Sequence, residues 1–271
     1  MSPPKETILE KLYNVKGKTI VLTGASGYLA VELSLHLYHL GAQVIGLDKD
    51  KSTSGQYYKF FQVDFNSPEF PKVLERITKE EEHLDVLINM AWDLSYNTGF
   101  NIPGAEKYTY EHWYRNFMCM YWAVLTTTYI GEMMKQEGDG SIINIGTMYA
   151  KTCPDPNMYI GTRFRNPPAY SAMKAALAMY TKRCAVDLGV YGVRCNVVHP
   201  GAFPKVKSKA NGNAVDLDHD QDFLNRLERK SPLNITGHPA DLVGLIVFLC
   251  SDCSSYLTGQ EISVDGGWDI W

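Results

Sequence analysis

Residues 18–30 read KTIVLTGASGYLA. An apolar run over 18–23 breaks at Gly24, and GYLAVELSLHLYHLG then carries helical periodicity to Gly41. The reading is a strand, a tight turn and a helix closed by glycine. Gly24, Gly27 and Ala30 recur every third residue through TGASGYLA, the pattern of a loop that cradles phosphate. Gly24 allows the turn, Gly27 lets backbone approach a pyrophosphate, and Ala30 packs the helix against the strand. The anion would sit on the free N–H groups at the helix start, and Ser26, Gly27, Tyr28 and Leu29 are expected to border the cofactor. Tyr28 is bulky for such a loop. The expectation is that its backbone and the Leu29 N–H cover the pyrophosphate while the ring turns away.

Working outward, AQVIGLD (42–48) is a second strand ending in Asp48, 24 residues after Gly24. A carboxylate there can accept hydrogen bonds from both adenosine ribose hydroxyls and would repel a 2′-phosphate. NAD is therefore expected rather than NADP, although Lys49 follows directly. YKFFQVD (58–64) is a third strand, and Asp64 with Phe65 would lie at the adenine edge. Asp64 reads equally as a cap for the helix in SPEFPKVLERITKEEE, where Ser67 is a candidate cap and Pro68 the first helical residue.

The alternation continues. LDVLINMA (84–91), GSIINIG (140–146), VRCNVVHPG (193–201) and QEISVDGG (260–267) read as strands. Helical patterns fall at about 109–136, 168–192, 221–230 and 239–251. Strands that are continuously apolar and separated by helices argue for an α/β fold of Rossmann type. The expected core is a doubly wound, mostly parallel seven-stranded sheet with helices on both faces. No linker or repeat interrupts the 271 residues, so one NAD-binding domain over 1–271 is expected. Two stretches are irregular, 150–168 and 202–220, the second running toward 230; they are candidate substrate loops.

The formal net charge of −4 argues against a nucleic-acid partner. No run is long and apolar enough for a membrane span, and the first residues lack the apolar core of a signal peptide. Six cysteines include only one C-x-x-C, Cys250 to Cys253, with no second pair to complete a metal site. They read as half-buried thiols in a cytoplasmic protein, and no metal is expected.

AYSAMKAAL places Tyr170 and Lys174 at i and i+4 on one helix face. A cation beside a phenol favours the phenolate, which would lower the tyrosine pKa toward the range of a general acid–base. Together with this pair, the whole chain resembles the short-chain dehydrogenase/reductase family in its short single-domain branch. The resemblance rests on the glycine loop, Asp64, NMA (89–91), SIINIGT (141–147), YSAMK (170–174), NVVHPG (196–201), PLNITGHPADL (232–242) and SSYLTGQEISVDGGW (254–268). It implies an NAD(H)-dependent oxidoreductase that interconverts a secondary alcohol and a ketone. Tyr170 would exchange the proton, Lys174 would hold the nicotinamide ribose and tune Tyr170, and a hydroxyl would orient the substrate oxygen. Asn89, Ala91, Pro200, Gly201 and Phe203 would border the cofactor. Homodimers or homotetramers built on the two long helices and the last strand are implied as well.

The chain departs from the family pattern in several places. The GxxGxxA spacing resembles a longer sugar-nucleotide branch. Thr147 stands at the usual serine. Trp92 follows NMA where a small residue is usual. The relay asparagine of the long helix falls on Cys119, with Asn116 one turn earlier. About ten extra residues separate Thr147 from Tyr170, carrying Tyr159, Arg163 and Arg165; Lys205, Lys207 and Lys209 follow HPG. Cations from both segments could grip an anionic sugar or polyol. GTRFRNPPAYSAMK and GGWDIW also resemble bacterial members of surface-sugar and flagellin-modification pathways. Two alternatives stay open: a cofactor-binding homologue with weak or lost catalysis, and a dehydratase or epimerase using bound NAD without net redox change.

Overall fold

The structure is a computed structural model that describes residues 13–51, 54–93, 110–162, 166–205 and 221–271. Its centre is one parallel sheet of seven strands: β1 (Thr19–Thr23), β2 (Gln43–Asp48), β3 (Lys59–Gln62), β4 (Val86–Asn89), β5 (Gly140–Ile145), β6 (Val193–Pro200) and β7 (Glu261–Val264). Their order is β3-β2-β1-β4-β5-β6-β7, the doubly wound arrangement expected. The chain leaves β1 toward one edge and returns to add β4 on β1's other side. Ligand crevices in such sheets open at the carboxyl ends of the strands at that switch point.

Side chains alternate across the sheet. Val21, Ile45, Leu87 and Ile142 face one core with α2 (Glu69–Glu80), α3 (Tyr110–Glu137) and α4 (Pro168–Gly189). Ile20, Leu22, Ile88 and Ile143 face the other with α1 (Tyr28–His39) and α6 (Val243–Cys250). Burial on both faces explains why the strands read as unbroken apolar runs. A third, smaller cluster gathers Met148, Tyr149, Met158, Tyr159 and Trp268 against Phe223 and Leu227 of α5 (Gln221–Lys230).

Local chemistry sets the element ends. Gly41, at φ +85°, closes α1 as the spacing predicts. Ser67 is not the cap of α2. Its hydroxyl donates to the Asp64 carbonyl, and Pro68 takes the cap position, so the helix begins one residue later than expected. The helix expected over 239–251 starts as a 3-10 turn (Pro239–Leu242), capped by His238 and Asp241 in a reciprocal pair. None of the helices among the described residues is long and apolar enough to cross a membrane.

Candidate active site

The strand carboxyl ends and α1 enclose an open cavity of about 890 Å³ at the switch point. Gly24, Ser26, Gly27, Tyr28, Leu29 and Ala30 line one part and Asp48, Asp64 and Phe65 another. Ala91, Trp92, Thr147, Tyr170, Lys174, Pro200, Gly201 and Phe203 close the far end. One concavity thus holds sequence-expected residues that lie up to 179 positions apart, from Gly24 to Phe203.

The glycine loop is shaped by close approach. Gly24 sits at φ +70°, and a Cβ there would lie 2.7 Å from the Ala91 Cα. Its role is therefore contact with the backbone after β4 as well as the turn. Gly27 is the helix N-cap and has no side chain to satisfy the first turn, so the Tyr28, Leu29 and Ala30 N–H groups face the opening without helical partners. A helix start with unpaired N–H groups is suited to an anion. The Tyr28 ring lies at the surface with the Lys205 ammonium 5.8 Å from its centre. Tyr57, which the sequence reading passed over, braces the loop by donating from its hydroxyl to the Ala25 carbonyl.

Asp48 is buried, and each of its oxygens accepts one backbone N–H: Ser26 at 2.9 Å on one, Asp50 at 2.9 Å on the other. A carboxylate offers about four acceptor sites, so two remain for ribose hydroxyls. Asp64 accepts from the Asn66 N–H at 2.9 Å, which makes it a local turn former as well as a cavity residue. Phe65 stacks on Phe70 with ring centres 4.5 Å apart. Asn89 departs from expectation. It lies below the cavity, where its amide donates to Asn144 at 2.9 Å and its carbonyl accepts from Thr126 at 2.6 Å. It clamps β4, β5 and α3 together instead of facing a cofactor.

At the far end the Thr147 hydroxyl stands by the Tyr170 phenol and favours its anion, and Lys174 stands one turn further along α4. Lys174 is buried; its ammonium donates to the Ile145 carbonyl at 2.6 Å and lies 4.0 Å from the centre of the Trp92 ring. The Trp92 ring meets Tyr170 edge-on at 5.7 Å. The expected lowering of the Tyr170 pKa does not follow in this arrangement. Burial pushes the phenol up to about 12, which outweighs the Thr147 hydroxyl. Burial also pushes Lys174 down to about 7, since no carboxylate pairs with it among the described residues. The ammonium is spent on a carbonyl and an indole, and it sits 6.0 Å from the phenol ring centre.

Cys119, in the relay slot, is buried. Its sulfur accepts the Asp93 N–H at 3.3 Å, and burial raises the thiol to about 11. Asn116 does not replace the relay amide: its side chain accepts from the Trp92 indole N–H at 3.3 Å and donates to the His112 carbonyl at 2.9 Å. Tyr159 is also buried rather than presented to substrate, bonded to the Tyr149 hydroxyl at 2.6 Å within the third cluster. Arg163, Arg165, Lys207 and Lys209 lie outside the described residues. Among those described, no cluster of His, Cys, Asp and Glu could hold a metal.

A family model described as enoyl-(acyl carrier protein) reductase matches residues 37–269. An uncharacterized oxidoreductase of Schizosaccharomyces pombe is 32% identical over 257 residues, covering 93% of this chain and 91% of that protein. The chain belongs to the short-chain dehydrogenase/reductase family. It is an enzyme of that family's dehydrogenase/reductase type, and its sheet order is the family's Rossmann arrangement. Among relatives of known activity, 2-dehydro-3-deoxy-D-gluconate 5-dehydrogenase of Bacillus subtilis is 27% identical, covering 96% of this chain and 98% of its own. A short-chain dehydrogenase of Leptospira borgpetersenii, solved with bound NAD+, superposes with a TM-score of 0.80 at 28% identity, covering 95% of this dehydrogenase and 94% of its own chain.

Proposed function

We propose that this chain is an NAD(H)-dependent oxidoreductase that interconverts a secondary alcohol and a ketone on an anionic sugar or polyol. One observation carries the reading: Thr147, Tyr170 and Lys174 meet at one end of a cavity whose other end is the Gly24–Ala30 cradle and Asp48. The helix N-terminus suits the pyrophosphate, and Asp48 keeps acceptor capacity for both ribose hydroxyls while disfavouring a 2′-phosphate. The nicotinamide supplies the hydride acceptor or donor. Thr147 orients the substrate oxygen by its hydroxyl. Tyr170 takes the hydroxyl proton as the alcohol carbon loses hydride, and returns it to the ketone oxygen in the reverse direction. Lys174, lowered to about 7 by burial, carries its positive charge beneath the site only as the pH falls through that value.

The Bacillus subtilis relative is named for a sugar-acid substrate, which supports an anionic substrate here. The protein would act as a homo-oligomer: Tyr110, Tyr114, Phe117 and Tyr121 are exposed along α3, Met179 and Val186 along α4, and Val190 just past its end. Light scattering in solution checks this; a monodisperse monomer refutes it.

The test is calorimetric binding of NAD+ and NADP+, then absorbance at 340 nm with a panel of sugar acids and polyols. NAD+ should bind more tightly, and Asp48→Ala should weaken it at least about tenfold while narrowing the gap to NADP+. Tyr170→Phe should cost about 10²- to 10⁴-fold in kcat, with cofactor binding retained. A rate unchanged by Tyr170→Phe sinks the mechanism. Cys119 in the relay slot favours a second reading, a cofactor-binding protein without turnover. NAD+ binding with no activity on any substrate would select it.

A further inference from the structure

His199 lies at the end of β6, directly beneath the Thr147 peptide, and is fully buried. Its Nδ1 accepts the Thr147 N–H at 3.1 Å. A ring nitrogen that accepts carries no proton, so the proton of the neutral ring is on Nε2. Nε2 lies 3.1 Å from Glu261 Oε2 and donates to it. The other Glu261 oxygen takes the Lys182 ammonium at 2.6 Å. A chain of polar contacts thus runs from a half-exposed lysine on α4, through β7 and β6, to the backbone of the residue whose hydroxyl meets Tyr170. Gly146 shows how tightly the ring is seated: a Cβ there would fall 2.3 Å from His199 Nδ1. The Gly146 N–H is itself held by the Val198 carbonyl at 2.7 Å.

We propose that His199 is a positioning residue: its neutral Nε2–H form, set by Glu261, fixes the Thr147 backbone and therefore the hydroxyl that orients the substrate. Protonating Nδ1 would turn an acceptor into a second donor facing the Thr147 N–H. The contact becomes repulsive, Thr147 moves, and activity falls. This rests on the role given to Thr147 above. Four charged groups bear on the imidazole. Glu261 from β7 favours the imidazolium, and Lys182 of α4 neutralises part of that pull. Lys151, after the turn at 148–150, opposes protonation, and its salt-bridge partner Asp269 of the C-terminal turn faces the same side. Burial is the largest influence, so His199 titrates below the ordinary histidine range and is neutral near pH 7.

The experiment is the pH profile of kcat/KM for ketone reduction, in which Tyr170 starts protonated and adds no acid limb of its own, for the full chain, Glu261→Gln, His199→Asn and His199→Leu, with NAD+ affinity by calorimetry. Glu261→Gln keeps an acceptor for Nε2 but removes the charge that favours the imidazolium. The acid limb should move down by roughly one pH unit, leaving the variant about tenfold more active than wild type, relative to each maximum, on that limb. His199→Asn offers an acceptor that does not titrate, so its profile should lose the limb. His199→Leu leaves the Thr147 N–H without a partner and should lower kcat about tenfold with NAD+ affinity retained. A limb that stays in place in both Glu261→Gln and His199→Asn overturns the proposal, as does one that moves up in Glu261→Gln. An ¹⁵N-NMR reading of the ring separates this from the function itself. Even if no substrate turns over, the neutral ring should be protonated on Nε2, and Thr147 amide exchange should quicken as it titrates. A ring protonated on Nδ1 refutes the inference alone.

Discussion

Replacing Lys174 with Met should make the cofactor-free protein more stable and the enzyme inactive. The side chain is 3% exposed, and its ammonium contacts the Ile145 carbonyl and the Trp92 face. Its pKa falls from 10.5 to about 7 because burial removes water from the ammonium without supplying an anion. That shift of roughly 3.5 units corresponds to about 5 kcal/mol against burying the charged form. The indole face returns about 2 kcal/mol in a desolvated setting. Met keeps a similar length and retains its own contact with the ring, about 1 kcal/mol, but leaves the Ile145 carbonyl unpaired at about the same cost. The net expectation is a gain of about 2–3 kcal/mol.

The sign of the pH dependence is fixed. Between about pH 7 and 10.5 the unfolded lysine is protonated and the folded one is increasingly neutral, so wild-type stability rises with pH across that window. Below it both states are charged and the burial cost is present in full. The advantage of Lys174→Met should therefore be largest near about pH 6 and should vanish toward about pH 10. Urea denaturation of both proteins without cofactor, at about five pH values, measures it. If Lys174→Met is less stable at every pH, or the gap does not change with pH, the ammonium is not strained and the account of the site is wrong.

Gly24→Ala should cost about 2–4 kcal/mol and weaken NAD+ at least tenfold, since the new Cβ meets the Ala91 backbone at 2.7 Å and the residue must keep φ +70°; thermal unfolding and calorimetry report both, and a neutral result would show that the loop can shift. Trp92→Leu removes the π face over Lys174, so the lysine should titrate about one unit lower, whereas Trp92→Phe should retain most of the effect; NMR of a labelled lysine distinguishes them. For alcohol oxidation at saturating NAD+, kcat/KM should rise about tenfold per pH unit between about pH 6.5 and 8.5, because the raised phenol pKa keeps the phenolate scarce; a plateau already at about pH 6.5 would contradict it.

The sheet was legible because its five inner strands are buried on both faces, and even the half-buried edge strands β3 and β7 follow turn residues. The loop at 23–30 fixed where the cavity opens. What the sequence hid are contacts with no periodicity. Asn89 follows an apolar strand and looks available to a cofactor, yet its amide closes a network with Thr126 and Asn144 from segments 37 and 55 residues away. His199 stood inside NVVHPG, where a buried imidazole with two partners has no local signature; only the pairing of β6 with β5 and β7 brings Thr147 and Glu261 to its two nitrogens. The direction of the Tyr170 shift was misread for a related reason. Helical spacing puts a lysine beside a tyrosine but does not say how dry the site is, and here desolvation outweighs proximity.

The departures from the family pattern form one set of contacts. A tryptophan after NMA would be loose in an open crevice, but Asn116 holds its indole N–H, and Asn116 is held in turn by the His112 carbonyl. With the ring fixed there, its face covers the Lys174 ammonium and its edge meets Tyr170. Cys119, three residues after Asn116, supports the segment that carries Trp92 by accepting the Asp93 N–H. An amide in that slot would hold water beneath the lysine; a thiol raised to about 11 leaves the space apolar and neutral. Removing the hydrated relay and adding an aromatic face are thus complementary changes. Together they surround the Lys174 ammonium with an aromatic face and a neutral thiol, a dry setting in which burial lowers it to about 7.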